Sequence, residues 1–190
     1  MPKILCFAGS TGSKSVNKRL AQVATKMAKA AGAEITYIEL NEYPMPLYDS
    51  DLEAKSGLPE NAKALKALFI KHDAFLISSP EYNSSVTGVL KNAIDWVSRA
   101  EQGEKGLVAF AGKTAGLISA SPGALGGLRG LVHLRAILGN IGVLVISEQA
   151  AVSAASEAFD SDGNLKDEGT RKRVENVVKR LIEVTTKLYG

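Results

Sequence analysis

A stretch rich in glycine and hydroxyl side chains near the N-terminus holds the residue types best suited to bind a charged ligand. It runs from Ala8 to Asn17 with the sequence AGSTGSKSVN, between an apolar segment and a long amphipathic one. We therefore expect it to join a strand to a helix. Backbone N–H groups at a helix start attract anions, and the hydroxyls, Asn17 and Lys14 add donors, so this composition predicts a site for a terminal phosphate. The alternative is an ordinary helix start capped by Ser15.

Two better-known phosphate-binding motifs do not fit. Gly9 and Gly12 are three residues apart and no third glycine follows, so the dinucleotide fingerprint is missing and Glu39 is disfavoured as its ribose-binding acid. The segment 111–114 (AGKT) resembles the end of a P-loop. However, Leu107 stands where the first glycine is required, and the lysine and threonine lead into a predicted strand rather than a helix.

Hydrophobic patterns along the chain alternate between strands and helices. We predict strands over 3–8, 34–39, 74–79, 114–120 and 142–147, and helices over 15–31, 59–71, 88–99, 125–139 and 167–189. Residues 40–58 are predicted to form a long surface excursion, and 148–166 an irregular segment. Apolar strands alternating with helices indicate an α/β fold in one domain, 1–190: a flavodoxin-like three-layer sandwich with a five-stranded parallel sheet in the order 2-1-3-4-5.

This strand order predicts where a ligand binds. Ligands of such sheets lie beyond the carboxyl ends of the strands at the topological switch point. The first, third and fourth strands are followed by polar, glycine-containing turns at 9–17, 79–87 and 119–127, which should meet in one crevice. In the second turn, Tyr82 offers an aromatic face and Asn83 both a donor and an acceptor, which suits the edge of a flat heterocycle.

The segment 80–99, PEYNSSVTGVLKNAIDWVSR, resembles the signature of the NADPH-dependent FMN reductase family. Gly9-Ser10 with Ser15 and Asn17 is similar to the family's FMN-phosphate loop. The segment 119–127 followed by His133-Leu134-Arg135 is similar to its third loop and helix. The resemblance covers about residues 3–165, and the family includes quinone, azo-dye and chromate reductases.

The resemblance implies a bound FMN, with NADPH or NADH as electron donor. The phosphate would be held by the stretch from Ser10 to Asn17 and the isoalloxazine bordered by the next two turns. The cofactor-binding residues so predicted are Ser10, Thr11, Gly12, Lys14, Ser15, Val16, Asn17, Pro80, Glu81, Tyr82, Asn83, Ser84, Ser119 and Ser121. No catalytic side chain is predicted, because the cofactor carries the hydride chemistry. No metal ligand is predicted either, because no spacing of His, Cys or carboxylate residues indicates a metal site.

The implied reaction is a ping-pong hydride transfer from NAD(P)H to FMN and on to a quinone-type or other small acceptor, such as an azo compound, chromate or free flavin. Family members commonly carry Arg where this chain has Gly12 and Pro where it has Thr87. We expect Lys14 to supply the missing positive charge.

The composition bears on the alternatives to an FMN reductase. Flavodoxin-type electron carriers are usually strongly acidic, whereas this chain has a formal charge of +3 and a pI of about 8.9. A nucleotide or phosphosugar enzyme on the same fold is a further alternative.

Lys and Arg are scattered along the sequence, so no nucleic-acid surface is predicted. No run approaches the ~18 apolar residues of a membrane span, and no secretory signal pattern is present, so a cytoplasmic location is expected.

Four remaining residues receive structural interpretations. Cys6, the one cysteine, is predicted to be a buried thiol, and Trp96 a packing or interface residue. His72 is predicted to be exposed at a helix end, and His133 to lie on a helix surface or interface. The resemblance also implies a homodimer or homotetramer, with 40–58 and 88–99 as its interface.

Overall fold

The computed structural model describes residues 1–189 and contains one parallel sheet of five strands. The strands are β1 (Lys3–Ala8), β2 (Glu34–Glu39), β3 (Ala74–Ser78), β4 (Thr114–Ala120) and β5 (Leu144–Val152). Their spatial order is β2-β1-β3-β4-β5 and every neighbouring pair is parallel. The predicted flavodoxin-like topology is therefore confirmed.

Helices cover both faces of this sheet. They are α1 (Val16–Ala30), α2 (Ser50–Ser56), α3 (Glu60–Lys71), α4 (Gly88–Val97), α5 (Leu128–Asn140) and α6 (Glu168–Tyr189), with a short 3-10 helix at Leu40–Glu42. Alternate residues of β1 point to opposite faces: Cys6 packs in the core under α1 and α6, and Phe7 in the core under α3, α4 and α5. Because both faces are covered, the central strands read as continuous apolar runs.

Strand β5 is longer than predicted. The pattern predicts a strand over 142–147, but β5 begins at Leu144 and continues through Glu148 and Gln149 to Val152, so the irregular segment begins after Val152. β5 is an edge strand in which exposed and half-buried positions are mixed with buried ones, and Ser147, Glu148 and Gln149 occupy exposed or half-buried positions. Its pairing with β4 shifts register between Ala115 and Leu117, and beyond the shift the ladder continues to the end of both strands.

Residues 40–58 run over the surface as predicted, and they form a strap held against α4. The Trp96 indole N–H donates to the Pro46 carbonyl at 2.8 Å, and the Asn92 side-chain amide accepts from the Tyr48 N–H at 2.8 Å. Trp96 is completely buried under this strap, so its predicted packing role is confirmed within the chain itself. Helix α2 completes the strap, with Asp49 accepting from the first-turn N–H groups of Asp51 and Leu52.

The expectation for His72 is wrong, and that for Cys6 is confirmed. His72 is only 3% exposed, with Nε2 at 2.9 Å from the Thr36 hydroxyl and Nδ1 at 2.6 Å from the Leu68 carbonyl. Its ring lies between the last turn of α3 and Thr36 of β2, a contact that the local sequence does not indicate. Cys6 is fully buried, and burial raises the pKa of its thiol to about 12.

Candidate functional site

Three loops meet at the carboxyl end of the sheet and enclose the crevice predicted there. They are the first loop (9–15), the second loop (79–87) and the third loop (121–127). Backbone hydrogen bonds continue the sheet ladder into each loop. The N–H groups of Gly9, Ser79 and Ser121 donate to the carbonyl oxygens of Ser78, Ile118 and Val152, respectively, at 2.9 to 3.0 Å. The loops therefore leave the sheet side by side.

The crevice has a volume of about 500 Å³, within the range of small-molecule and cofactor sites. Ten of the predicted residues line it: Ser10, Gly12, Lys14, Ser15, Val16, Asn17, Pro80, Glu81, Tyr82 and Ser121. Ser13, Ala120 and Pro122 also line it and were not in the predicted set. Their positions in the same turns could have predicted them, since Ser13 stands among the other hydroxyl residues of the first loop.

Four predicted residues do not reach the crevice wall. Thr11 faces a neighbouring groove beside Leu40 and Tyr43, and Asn83 and Ser84 form the tip of the second loop. Ser119 is completely buried, and its hydroxyl donates to the Ser79 carbonyl at 2.7 Å. Its side chain therefore supports the second loop from below.

The start of α1 forms one end of the crevice. Ser15 occupies the N-cap position, as the alternative interpretation expected, but its hydroxyl makes no capping hydrogen bond and the first turn of α1 contains no acidic residue. The N–H groups of a first helical turn have no intrahelical acceptors, and the helix dipole is positive there. This end of the crevice is therefore electrostatically suited to an anion.

Asn17 lies in the first turn of α1 and is 2% exposed. Its side chain bonds the strand ends: Nδ2 donates to the Ala120 carbonyl at 2.7 Å, while Oδ1 accepts from the Ala120 N–H at 2.9 Å and the Ser78 hydroxyl at 3.0 Å. Asn17 thus joins the first turn of α1 to the ends of β3 and β4.

A buried lysine that sequence reasoning missed supports the first loop from behind. The Lys18 ammonium contacts the Glu39 carboxylate at 2.7 Å, the Asn41 side-chain oxygen at 3.0 Å and the Thr11 carbonyl at 3.4 Å. Glu39 is therefore engaged in an ion pair at the end of β2. The lysine gave no local signal, because its partner is 21 residues away.

The two departures from the family pattern have different consequences. A Cβ at Gly12 would meet only the Ser10 hydroxyl, at 3.7 Å, so the position is open enough for a larger side chain. Thr87 is buried at the N-cap of α4, where its hydroxyl accepts from the Leu90 N–H at 3.2 Å and donates to the Gly9 carbonyl at 2.6 Å. It joins the first and second loops.

The second loop turns sharply at Asn83 and Ser84, which have φ angles of 50° and 65°. Tyr82 and Ser85 exchange two backbone hydrogen bonds of 3.0 Å across them. Positive φ at both central residues is typical of a type I′ turn, which asparagine tolerates better than most residues. The turn leaves the Tyr82 side chain 63% exposed at the mouth of the crevice.

The Glu81 side chain points away from the turn at Asn83 and Ser84 and toward α5. Its carboxylate accepts from the Gly130 N–H at 3.1 Å and from the Arg129 Nε at 2.9 Å. Burial opposes its ionisation, but these hydrogen bonds and the guanidinium charge outweigh burial and hold the pKa of Glu81 below its usual value. On the same side of α5, the Ser85 hydroxyl lies 2.9 Å from His133 Nδ1. His133 is exposed on the helix surface, as predicted.

Glycines let the third loop pack closely on its neighbours. Gly127, the residue before α5, has a φ of 93°, and a Cβ there would lie 1.9 Å from the Ser119 hydroxyl. A Cβ at Gly126 would lie 2.7 Å from the backbone of Val152. Within residues 1–189 no group of three or more His, Cys, Asp or Glu side chains is arranged to hold a metal ion, and no helix is long and apolar enough to span a membrane.

Comparison with known proteins gives this geometry a family. The chain is 36% identical to an NAD(P)H:quinone oxidoreductase of Solanum tuberosum, covering 99% of this chain and 95% of that one. It is 34% identical to an NAD(P)H-dependent FMN reductase of Pseudomonas aeruginosa, covering 99% and 97%. The structure of the flavoenzyme NAD(P)H:(acceptor) oxidoreductase from Paracoccus denitrificans superposes with a TM-score of 0.83 at 30% identity, covering 98% of both chains.

A family model described as NADPH-dependent FMN reductase matches residues 2–157, which include all three loops of the crevice. The segment that carried the resemblance in the sequence, 80–99, lies inside this match and forms the second loop and α4. The chain belongs to the NADPH-dependent FMN reductase family.

Proposed function

We propose that the protein is an FMN-dependent NAD(P)H oxidoreductase that passes hydride to a quinone-type or other small acceptor. The observation that carries the proposal is the crevice itself, in which an anion-binding helix start faces the second and third loops across about 500 Å³. Membership of the FMN reductase family supports the cofactor, and the quinone reductases among the relatives support the acceptor class.

The residues that line the crevice fit the chemistry of FMN. The N–H groups at the start of α1, the hydroxyls of Ser10, Ser13 and Ser15, and Lys14 supply donors and positive charge for the phosphate. The second loop at Pro80–Tyr82 and the third loop at Ser121 border the space beyond, which we assign to the isoalloxazine. Bound there, FMN would supply the capacity to accept and return a hydride.

The protein's own part in the reaction is binding, orientation and electrostatics. Tyr82 stands exposed at the mouth of the crevice, so donor and acceptor can enter over the same open side in turn, as a ping-pong reaction requires. The Glu81 carboxylate is occupied by α5, and no nucleophile–base pair lies in the crevice wall. We assign stabilisation of developing negative charge to donors of the third loop, acting as preorganised dipoles.

Anaerobic titration with NADPH tests the activity directly. The FMN-loaded protein should lose its oxidised-flavin absorbance on addition of NADPH and regain it with a quinone. A panel of quinone, azo, chromate and free-flavin acceptors then ranks the acceptor classes. Retention of FMN without reduction by either NADPH or NADH would contradict the proposal and indicate the flavodoxin-type electron carrier, which needs a partner reductase.

We also propose that the protein acts in the cytoplasm as a homodimer or homotetramer. Several large apolar residues are exposed to solvent, among them Leu47 at 79%, Val132 at 56% and Leu125 at 50%. Such side chains are candidates for burial between subunits. The mass in solution, measured by light scattering, tests the oligomer: a single monomeric species at working concentration contradicts it.

A further inference from the structure

The Glu81 side chain is a buried charge that the proposed reaction does not use. Only 8% of it is exposed, although it belongs to a loop at the surface of a crevice. A buried carboxylate is costly unless it is paired and hydrogen-bonded. Three nitrogen donors from two residues offset that cost: the Gly130 N–H at 3.1 Å, Arg129 Nε at 2.9 Å and Arg129 Nη2 at 2.6 Å.

All three donors belong to the first turn of α5. This helix begins at Leu128, so Gly130 is its third residue and its N–H has no acceptor within the helix. Gly127, at the N-cap position, has no side chain to serve that N–H. The Glu81 carboxylate therefore caps α5 from another part of the chain, at the helix end where the dipole favours negative charge.

The packing around this contact is close on both sides. A Cβ at Gly130 would lie 3.2 Å from Glu81 Cβ, 3.3 Å from Glu81 Cα and 3.3 Å from the Ser85 carbonyl oxygen. The backbone of α5 thus lies flat against the second loop from Glu81 to Ser85. The hydrogen bond between Ser85 and His133 extends the same contact along the helix.

We propose that Glu81 is a positioning residue that holds the second loop in the conformation that receives the isoalloxazine, by binding the N-terminus of α5. The second loop contains the turn at Asn83 and Ser84, whose positive φ angles are disfavoured for residues with a Cβ. Ser119 and Thr87 hold the two ends of the second loop, whereas its middle, 81–85, is held by α5 apart from its own hydrogen bonds. Loss of the carboxylate should free the loop at the ring end of the crevice and leave the phosphate end intact.

This inference rests on the proposed FMN site, and a comparison of two flavins separates the two claims. Riboflavin has the ring but no phosphate. Glu81→Ala should weaken the binding of FMN and of riboflavin by the same factor, about tenfold, the size expected for lost hydrogen bonds to a buried charge. Lys14→Ala, at the other end of the crevice, should weaken FMN alone. Dissociation constants follow from quenching of flavin fluorescence.

Two further variants separate positioning from general stability. Leu138→Ala leaves a cavity at a fully buried position near the C-terminal end of α5, so it should lower the melting temperature. Both flavin affinities should stay within about twofold of the wild type. Glu81→Gln keeps an oxygen for the Gly130 N–H and should recover part of the affinity that Glu81→Ala loses.

The possible outcomes are distinct. If wild-type protein binds neither flavin, the proposed FMN site itself fails. If wild type binds both and Glu81→Ala leaves riboflavin affinity unchanged or weakens FMN alone, the positioning role is wrong. If Leu138→Ala weakens both flavins as much as Glu81→Ala does, the effect of Glu81 is one of stability, which also overturns the proposal.

Discussion

Single residues in the crevice divide into those that face the ligand space and those that hold the loops in place. Lys14 faces it, exposed at the edge of the first loop. Lys18 and Thr87 do not need to face it, because each bonds two or three segments together behind the wall. Asn17 lines the crevice, but the polar atoms of its side chain are bonded to the ends of β3 and β4.

Lys14 should supply part of the charge that holds the phosphate. Replacing it with alanine is expected to weaken FMN binding about fivefold to tenfold and leave riboflavin binding unchanged, because a partly solvated charge pair contributes on the order of 1 kcal/mol. The control is Lys29→Ala, in the last turn of α1, where the charge is far from the helix start. Equal FMN affinities of Lys14→Ala and wild type would remove Lys14 from the site.

At the level of elements, the third loop depends on close packing between backbones. Gly126 and Gly127 allow it to turn from β4 into α5 while resting on Ser119 and the end of β5. A side chain at either position would collide with its support. The crevice wall on this side is therefore set by the ends of two strands.

Gly127→Ala tests this packing. The new Cβ would lie 1.9 Å from the Ser119 hydroxyl at a φ of 93°, so the variant should lose about 2 to 4 kcal/mol in the free energy of unfolding, measured with urea. Gly123→Ala is the matched control in the same loop, because its Cβ would meet only the Ser121 hydroxyl at 3.7 Å. Equal stabilities of the two variants would contradict the steric argument.

For the whole molecule, the distribution of carboxylates predicts sensitivity to acid. Hydrogen bonds and nearby cations hold the pKa values of Glu53, Glu104, Asp160 and Asp167 below their usual range, and Glu81 shares this direction although burial opposes it. A depressed pKa in the folded state contributes stability that is fully present above the unfolded pKa and is lost as pH falls through the folded value.

The free energy of unfolding should therefore change little between about pH 7 and 5 and fall below about pH 4, near the carboxyl pKa values of unfolded chains. The decline should be shallower in Glu81→Gln, which has one such carboxylate fewer. Urea unfolding at a series of pH values measures both curves. Parallel curves for wild type and variant would show that Glu81 makes no contribution to the acid sensitivity.

The molecule's charge balance also bears on its role. With a formal charge of +3, it differs from the acidic composition usual for flavodoxin-type carriers, which favours turnover with small, often anionic reactants over docking to a partner reductase. NADPH itself is such a reactant. The proposed reductase activity and the overall charge therefore agree.

The sequence by itself determined the strand order, the position of the crevice and most of its wall. Strands β1, β3 and β4 are buried on both faces, so their apolar runs were easy to read, and the polar turns after them are local features. Once the parallel order 2-1-3-4-5 was inferred, the convergence of these turns followed from topology. The family resemblance of 80–99 then indicated the cofactor, and the comparison with known proteins confirmed the family.

Only the tertiary structure decided which side chains line the crevice and which hold its wall in place. Asn17 binds Ala120 across 103 positions of sequence, and Glu81 binds Gly130 across 49. The extension of β5 depends on its pairing with β4, and the burial of His72 depends on its contact with Thr36 of β2. A side chain with hydrogen-bonding groups has the same local pattern whether its partner is a ligand or a distant backbone. Its role is therefore set by the segments that folding brings beside it.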